Sequence, residues 1–400
     1  MEGRTTARRA AGLIALLCAL AVALGVAFAP LGAHAAETGS AKADASASAS
    51  ADKAKAGASA QADSAQKDAA STGATREFTD SLGRTVEIPQ DVTAIAASGP
   101  LAQQVLMTIA PDKLVGLASE LSDSQKKYFG EQYASLPVFG QFYGGKGDTL
   151  NKEAVAAANP QVVIDVGEEK DGMAEDFDAL QDQLGIPVIH VASTLATYDE
   201  CYTMLGDLLG MPEKGKELAD YCANAYDQVK SVMDSIPEDQ RISVLYLTGD
   251  DGTSVLAKGS YQANVIDMVA NNAAVVDDPS AKSNQTSLEQ ISNWNPQVII
   301  FAPKSYYDKA AGDPTWAALD AISSGSYYQV PAEPFNWLNG PPSVNQVLGM
   351  QWLPRILYPD KFDDSLYDVV AGYYKAFYGY DLSQDEFNEL TATAVPAEEK

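Results

Sequence analysis

Two glutamates occupy the same position relative to a repeated phrase in the sequence. Glu153 lies six residues before the asparagine of "NPQVVI", and Glu289 lies six residues before the asparagine of "NPQVII". A glutamate in the first turn of a helix stabilises that turn through the helix dipole, and an exposed carboxylate can pair with a cation of a partner. The repeated spacing therefore indicates two equivalent carboxylates in two equivalent parts of the molecule.

Groups for acid–base catalysis are scarce in this sequence. His34 lies in an N-terminal leader, so His190 is the one histidine expected in the mature chain, and its apolar strand pattern predicts a core histidine. A serine or cysteine nucleophile therefore lacks its histidine base. No carboxylate pair stands out among the many acidic residues, and no phosphate-loop or dinucleotide-binding motif occurs. These features argue against an enzyme.

Candidate ligand-binding residues lie where predicted parallel strands end, because ligands of open α/β sheets bind beyond the carboxyl ends of the strands. Two loops rich in glycine and aromatic residues, 139–148 and 257–262, precede predicted helices, so their amides could meet an anionic group. The predicted ligand-binding residues are Ser98, Gly99, Pro100, Leu101, Phe142, Tyr143, Lys146, Glu168, Lys258, Ser260, Tyr261, Lys304, Asn336 and Trp337. For the aromatic residues the alternative is a place in the local core.

These residues are positioned by strands and helices that alternate through two halves of the chain. The predicted strands are 93–98, 113–119, 161–166, 186–192, 242–248, 273–278, 297–302 and 327–332. Several are continuously apolar, which is typical of parallel sheets covered on both faces. The predicted fold class is α/β, with two doubly wound parallel-sheet lobes joined by one long rigid α-helix and a ligand cleft between them. The repeated phrase forms an α-to-β corner in each lobe, because the residue before a proline avoids helical conformation.

The segment 211–237 is predicted to be the connecting helix. Pro212 can start it and Pro237 can stop it, and apolar residues fall on one face at helical spacing. About 24 residues would give a rod of roughly 36 Å. The predicted organisation is a leader at 1–35, a flexible Ala/Ser-rich tether at 36–76, an N-terminal lobe at 77–210, the helix at 211–237 and a C-terminal lobe at 238–400.

Two cysteines remain after the leader. Cys201 lies in a predicted helix that turns at Gly210 into the connecting helix, so it faces the neighbourhood of Cys222. In an exported protein this arrangement favours a disulfide between them. The alternative is a pair of buried free thiols.

Composition narrows the partners and the compartment. The 400 residues include 27 Lys and Arg against 54 Asp and Glu, a formal charge of −27, which argues against binding to nucleic acid or to an anionic membrane surface. A basic start, an apolar run and the small-residue site around Ala35 predict a secretory signal peptide. The apolar run is also long enough for an uncleaved membrane anchor. The protein is therefore expected outside the cell or tethered to its surface.

Several phrases in order resemble a known family, the substrate-binding proteins of ABC importers for iron complexes, haem and cobalamin. These phrases are "FTDSLGRTVEIPQDVTAIAA", "KLVGLAS", "NKEAVAAANPQVVI", "SLEQISNWNPQVII" and "VPAEPFNWLNGPPSVNQVLGMQWLPRILYPDKF". The similarity runs from about Phe78 to Phe362. It implies a non-enzymatic, monomeric receptor that needs no cofactor, captures a small-molecule metal chelate and delivers it to a dimeric ABC permease.

The resemblance also implies a role for the two glutamates. In the family, one surface glutamate on each lobe docks onto arginines of the permease, and the matching positions are Glu153 and Glu289. The alternative is helix capping. Thr286 and Glu289 have capping-box spacing. Glu153 has no such partner, because the residue three positions before it is Leu150, which has no side-chain oxygen.

The expected ligand is a ferric complex of the siderophore type. After the leader only Arg76, Arg84, Arg241 and Arg355 remain, and none lies at a predicted strand end, so a weakly charged chelate is favoured over a strongly anionic one. Cobalamin, haem with Tyr143 or Tyr261 as axial ligand, and molybdate bound by backbone amides with Lys146 or Lys258 are alternatives. An extracellular two-lobed enzyme and a surface adhesion protein are the competing classes.

Overall fold

The computed structural model describes residues 73–143, 149–279 and 284–396. The predicted leader, nearly all of the predicted tether and Lys146 lie outside these ranges. The first strand begins at Thr75, two residues before the position 77 at which we expect the folded part to begin. Within the described ranges, no helix combines the length and apolar character that crossing a bilayer requires.

The first lobe contains a hairpin and a parallel sheet. Strands β1 (Thr75–Thr79) and β2 (Thr85–Pro89) pair antiparallel, and β3 (Ile95–Ala97), β4 (Val162–Gly167) and β5 (Val188–Ala192) pair parallel in that order. The helices are α1 (Pro100–Ile109), α2 (Asp123–Phe129), α3 (Lys152–Ala158) and α4 (Met173–Leu184). Every residue of β4 is buried, as expected of a central strand covered on both faces.

The strand expected at 113–119 is reduced to two isolated parallel bridges, Ile95 to Leu114 and Leu117 to Val138. Gly116 lies between them, and a Cβ atom there would stand 2.1 Å from the Phe139 ring. The glycine thus makes room for Phe139. A glycine also weakens a strand interior, so the regular ladder does not form.

Helices α5 (Tyr198–Leu208) and α6 (Pro212–Asp234) connect the lobes, and α6 is the predicted long rod. The second lobe is built on parallel strands β6 (Ser243–Thr248), β10 (Val298–Phe301) and β11 (Tyr327–Gln329). Its remaining strands are β7 (Ser254–Val255), β8 (Asn271–Asn272) and β9 (Asn284–Gln285). The helices of the second lobe and of the C-terminal segment that follows β11 are α7 (Asn264–Val269), α8 (Leu288–Trp294), α9 (Tyr307–Ala310), α10 (Asp320–Ser323), α11 (Asn345–Leu357), α12 (Leu366–Tyr378) and α13 (Gln384–Leu390).

The prediction of a strand at 273–278 is wrong. The chain pairs with β6 one step earlier, through Asn271 and Asn272, and then leaves the sheet. Ala274 is buried in the core of the second lobe, whereas Val275 is 67% exposed, so only part of the apolar run is covered.

The predicted disulfide is not formed in this structure: Cys201 and Cys222 are free, buried thiols. They lie on α5 and α6, which pack so closely that a Cβ atom on Gly215 would stand 2.6 Å from the Tyr202 carbonyl oxygen. Burial raises the pKa of both thiols, which keeps them protonated. The alternative of two buried free thiols therefore describes this structure.

We expect a chain that begins at Ala36 to show two reactive thiols after unfolding without reductant and none in the native state. Burial and protonation both protect Cys201 and Cys222 from the reagent. A dye-based thiol assay with and without guanidinium checks this. An oxidised chain would show no thiol under either condition.

One continuous apolar core joins the two lobes. It includes Ile95 and Val162 of the first sheet, Val244 and Ile300 of the second sheet, and buried residues of α6, α11 and α12. Every residue of α11 is buried, and α12 packs on both α1 and α11. The C-terminal helices therefore contact both lobes and are not confined to the lobe at 238–400. This shared core fixes the orientation of the strand ends that face the cleft.

Candidate functional site

The repeated phrase builds the same corner in both lobes. Asn159 and Asn295 end their helices in the left-handed conformation, with φ of 49° and 40°, which asparagine tolerates better than most residues. The side-chain oxygen of Gln161 accepts hydrogen bonds from the Thr93 and Ala94 amides at 2.7 and 3.0 Å. The Gln297 oxygen accepts one from the Ser243 amide at 2.9 Å. The phrase thus ties each helix to the neighbouring strand.

The two glutamates also occupy equivalent places. Asn151 caps α3 by accepting from the Ala154 amide at 3.0 Å, and Ser287 caps α8 by accepting from the Gln290 amide at 3.1 Å. Each glutamate is therefore the second residue of its helix. Both glutamates are exposed, and neither side chain has a hydrogen-bond or ion-pair partner in the part of the chain that the structure describes.

The capping-box alternative for Glu289 is not formed. Ser287, rather than Thr286, is the N-cap, so Gln290 rather than Glu289 stands at the third helical position. The Glu289 carboxylate does not accept a hydrogen bond from the N-cap residue. It lies exposed on the surface, like that of Glu153.

A cavity of 360 Å³ opens at the carboxyl ends of the strands of the first lobe. It brings together seven of the predicted ligand-binding residues, namely Ser98, Gly99, Pro100, Leu101, Tyr143, Glu168 and Tyr261. Sequence reasoning missed several further lining residues, which include Gln141, Asp165, Lys170, Met173 and Pro341. Tyr261 belongs to the second lobe and Ser98 to the first, so the cavity lies between the lobes.

Helix α1 begins in the wall of this cavity. Gly99 is its N-cap and offers no side-chain hydrogen bond, and Pro100 at the first position has no N–H. The amides of Leu101 and Ala102 have no acceptor within a regular helix, because the first turn leaves such donors free. These donors and the positive end of the helix dipole favour an anionic or acceptor-rich ligand group.

A buried polar chain stands behind the cavity. Ser98 donates its hydroxyl hydrogen to one oxygen of Asp165, and the other oxygen lies 2.8 Å from Nδ1 of His190. His190 is fully buried, which agrees with its predicted place in the core. These contacts fix the orientations of Ser98 and Asp165 in the cavity lining, because each oxygen of the Asp165 carboxylate has a hydrogen-bond partner.

Two tyrosines line the cavity, Tyr143 from the first lobe and Tyr261 from the second. The Tyr143 hydroxyl donates to Asp176 at 3.2 Å, and its ring meets Phe177 edge-on with centroids 4.7 Å apart. The Tyr261 hydroxyl has no hydrogen-bond partner within the described ranges. Burial, with smaller effects of Glu168 and Asp165, raises the pKa of Tyr261 to about 12. Tyr261 is therefore a protonated phenol that can donate to a bound ligand.

Comparison with known proteins settles the family. A family model described as periplasmic binding protein matches residues 101–334, which is more than half of the chain. The chain belongs to the periplasmic binding protein family. As a member, it is a substrate-binding component of an ABC importer, and its family implies export from the cytoplasm. This confirms the resemblance and the fold class that the sequence indicates.

This chain is similar to other periplasmic binding proteins over nearly the whole length of those proteins. The molybdate-binding protein MolA of Haemophilus influenzae is 25% identical over 334 residues, which are 76% of this chain and 91% of the relative. An ABC transporter solute-binding protein from Sulfurospirillum deleyianum is 27% identical with a TM-score of 0.72, covering 79% of this chain and 99% of that one. A periplasmic solute-binding protein from Veillonella parvula is 25% identical with a TM-score of 0.64, covering 80% and 98%. These relatives are transport proteins rather than enzymes.

The other predicted aromatic and amide residues of this periplasmic binding protein do not line the cavity. Phe142 is 5% exposed and meets Phe139 edge-on, and Trp337 is 1% exposed and meets Trp352 edge-on. Asn336 donates to the Tyr246 hydroxyl at 3.1 Å. The structure therefore places Phe142 and Trp337 in the core, as the alternative to a ligand contact foresees.

The predicted polar residues of the second lobe also lie elsewhere. Lys258 pairs with Glu238 at 3.6 Å, and Lys304 occupies a left-handed turn after β10 with φ of 57°. Ser260 is buried beside Tyr261 in sequence, with a hydroxyl that has no partner among the described residues. In the described ranges, no group of three or more His, Cys, Asp or Glu side chains is placed to hold a metal ion.

Proposed function

We propose that this periplasmic binding protein captures a small oxyanion, molybdate or a close analogue, and delivers it to its permease. The convergence of neutral hydrogen-bond donors on one cavity carries the proposal. The amides of Leu101 and Ala102 lie in the first turn of helix α1, and the Tyr261 hydroxyl, which has no partner among the described residues, lines the same cavity. The 25% identity to a molybdate-binding protein over 91% of its length supports the same ligand class.

The protonated state of Tyr261 suits an oxyanion ligand. Burial raises the pKa of Tyr261 to about 12, so the phenol keeps its proton at neutral pH. It can therefore donate to an oxyanion without adding a charge. The cavity of 360 Å³ also lies near the lower end of the ~300–1,000 Å³ usual for small-molecule sites, which disfavours cobalamin.

A ferric chelate of the siderophore type is the second candidate. One observation favours it: a second cavity of 370 Å³ shares the lining residues Gly167 and Glu168 with the first. The two cavities together offer more room than one four-oxygen anion fills. In this case both cavities would be occupied by one organic ligand.

Titration calorimetry of the purified protein separates the two candidates. We expect sodium molybdate to bind with one site per chain, and sulfate and a ferric trihydroxamate to bind at least about tenfold more weakly. Tight binding of the ferric trihydroxamate without binding of molybdate would exclude the oxyanion proposal. Native mass spectrometry of protein from its own host would give the mass of the natural ligand.

We expect Tyr261→Phe to weaken molybdate binding about 10- to 100-fold. The substitution removes one donor to a charged ligand, and such a hydrogen bond contributes about 1.5–3 kcal/mol. Tyr143→Phe is the matched control, because the Tyr143 hydroxyl already donates to Asp176. Calorimetry on both variants checks the difference. Equal affinities of the two variants would place the anion away from Tyr261.

We further propose that Glu153 and Glu289 dock onto the permease, one from each lobe. Their equivalent helical positions, exposure and lack of partners among the described residues support this role. In each lobe the corner behind the glutamate combines an asparagine in the left-handed conformation with a glutamine side chain that accepts from a neighbouring backbone amide. Each carboxylate thus lies next to an α-to-β corner that a side-chain hydrogen bond holds in place.

A further inference from the structure

Lys170 carries the one Lys or Arg side chain among the described residues that line the first cavity, the cavity of 360 Å³. Its side chain is exposed and has no ion-pair or hydrogen-bond partner in those parts of the chain. Glu169 and Asp171 flank it in sequence, yet neither carboxylate pairs with it. The ammonium group of Lys170 is therefore available to a ligand in the cavity.

The loop that follows β4 places Lys170 at the lining. Strand β4 ends at Gly167 and helix α4 begins at Met173, so residues 168–172 connect the two. Gly172 is the N-cap of α4 in the left-handed conformation, with φ of 78°, and the Met173 amide donates to the Lys170 carbonyl oxygen at 3.2 Å. A turn thus holds the backbone of Lys170, and its flexible side chain lies in the cavity lining.

Two carboxylates of the same lining oppose an anion. Asp165 is buried, and its two oxygens have hydrogen-bond partners in Ser98 and His190. Glu168 is exposed and has no partner within the described ranges. After burial, the charge of Glu168 is the next cause that raises the pKa of Tyr261, the tyrosine that donates to the anion in the proposed function. The charge of Glu168 therefore acts at the place where the anion binds.

An anion in this cavity needs a compensating cation. The whole chain has a formal charge of −27, so its long-range field repels anions. The N-terminus of α1 contributes only about half a positive charge. Since no second Lys or Arg belongs to the described lining, the Lys170 ammonium must offset most of the charge of a tetrahedral oxyanion.

We propose that Lys170 and Glu168 together set the affinity and the charge preference of the oxyanion site. This deepens the proposed function and rests on it, because both effects require an anion in the cavity. Lys170 attracts the anion, a role that Lys258 does not take, because Lys258 pairs with Glu238 and does not line the cavity. Glu168 repels the anion and limits its affinity. The energy between two charges scales with their product, so both residues act about twice as strongly on a dianion as on a monoanion.

Titration calorimetry of the purified, folded protein with sodium molybdate tests both residues. We expect Lys170→Met to weaken binding at least about tenfold, Lys170→Arg to stay within about threefold of the unchanged protein, and Glu168→Gln to strengthen binding about threefold or more. Lys152→Met and Asp171→Asn are matched controls, because both side chains are exposed and neither lines the cavity. These two controls should change the molybdate affinity less than about twofold.

Sodium perrhenate, a tetrahedral monoanion, tests whether charge rather than shape causes these changes. We expect the ratio of molybdate affinity to perrhenate affinity to fall about threefold or more in Lys170→Met and to rise in Glu168→Gln. Competition against molybdate measures the perrhenate affinity where its own heat of binding is small. An unchanged ratio in both variants would indicate a structural role and would overturn the charge preference.

The outcomes distinguish this inference from the proposed function. If the unchanged protein and Lys170→Met bind molybdate equally, or if Glu168→Gln binds it as weakly as Lys170→Met, this inference fails and the oxyanion function stands. If the unchanged protein does not bind molybdate, the proposed function fails and this inference fails with it.

Discussion

The double variant Glu153→Arg/Glu289→Arg is expected to lose ligand uptake by about 100-fold or more, with ligand affinity and folding unchanged. Both side chains are exposed and have no partner within the described ranges, so their replacement disturbs no internal contact. If each glutamate meets a cationic side chain of the permease, the variant places like charges against each other at both contacts. Such a juxtaposition weakens association strongly and mainly slows productive encounter.

Uptake of labelled ligand into vesicles that contain the permease measures this effect. Each single reversal should give an intermediate loss, because one lobe still docks. Glu175→Arg and Glu213→Arg, at exposed first-turn positions of α4 and α6, form the matched control pair and should transport normally. Normal uptake by the folded double variant would exclude docking through these two corners.

The corners themselves were predictable because their determinants are local. The residue before a proline avoids helical conformation, so Asn159 and Asn295 end their helices wherever the chain goes next. The side-chain bond of Gln161 to the amides of Thr93 and Ala94 was not predictable. That bond depends on which strand lies beside β4, and pairing between distant segments leaves no mark on six residues of sequence.

The cavity was predictable in part for the same reason. Ser98 and Glu168 follow strand patterns directly, and the rule for parallel sheets places strand ends at one edge. Asp165 was missed because it lies inside an apolar strand, where a carboxylate is acceptable only through its bonds to Ser98 and His190. Trp337 was misplaced because a neighbouring glycine or proline does not distinguish a cleft rim from a packed core.

The sequence also could not predict that the C-terminal helices contact both lobes. Tyr373 and Phe377 stack with centroids 4.2 Å apart, and Phe377 also meets Tyr221 of α6 and Tyr202 of α5. The amphipathic pattern of α12 indicates a buried face but not the partner of that face. The continuous core that results makes the two-lobed receptor more rigid than two lobes joined by one helix would be.

Replacing Arg84 with methionine is expected to lower the free energy of unfolding by about 3–5 kcal/mol. The guanidinium lies 2.6 Å from the fully buried carboxylate of Asp80 and donates to the Val188 carbonyl oxygen at 2.6 Å. Methionine retains apolar volume over Phe177 but leaves the Asp80 charge without its cation. Urea unfolding followed by circular dichroism measures the change in the free energy of unfolding.

Two matched variants test whether burial, rather than the ion pair as such, causes this loss. Asp178 pairs with the same guanidinium at 3.0 Å but is 66% exposed, so Asp178→Asn should cost less than about 1 kcal/mol. Asp80→Asn together with Arg84→Met should recover part of the loss, because no buried charge then remains. An equal cost for Asp178→Asn and Arg84→Met would contradict this account. Asp80 also accepts a hydrogen bond from the His190 amide at 3.3 Å, so the buried carboxylate ties the turn between β1 and β2 to strand β5.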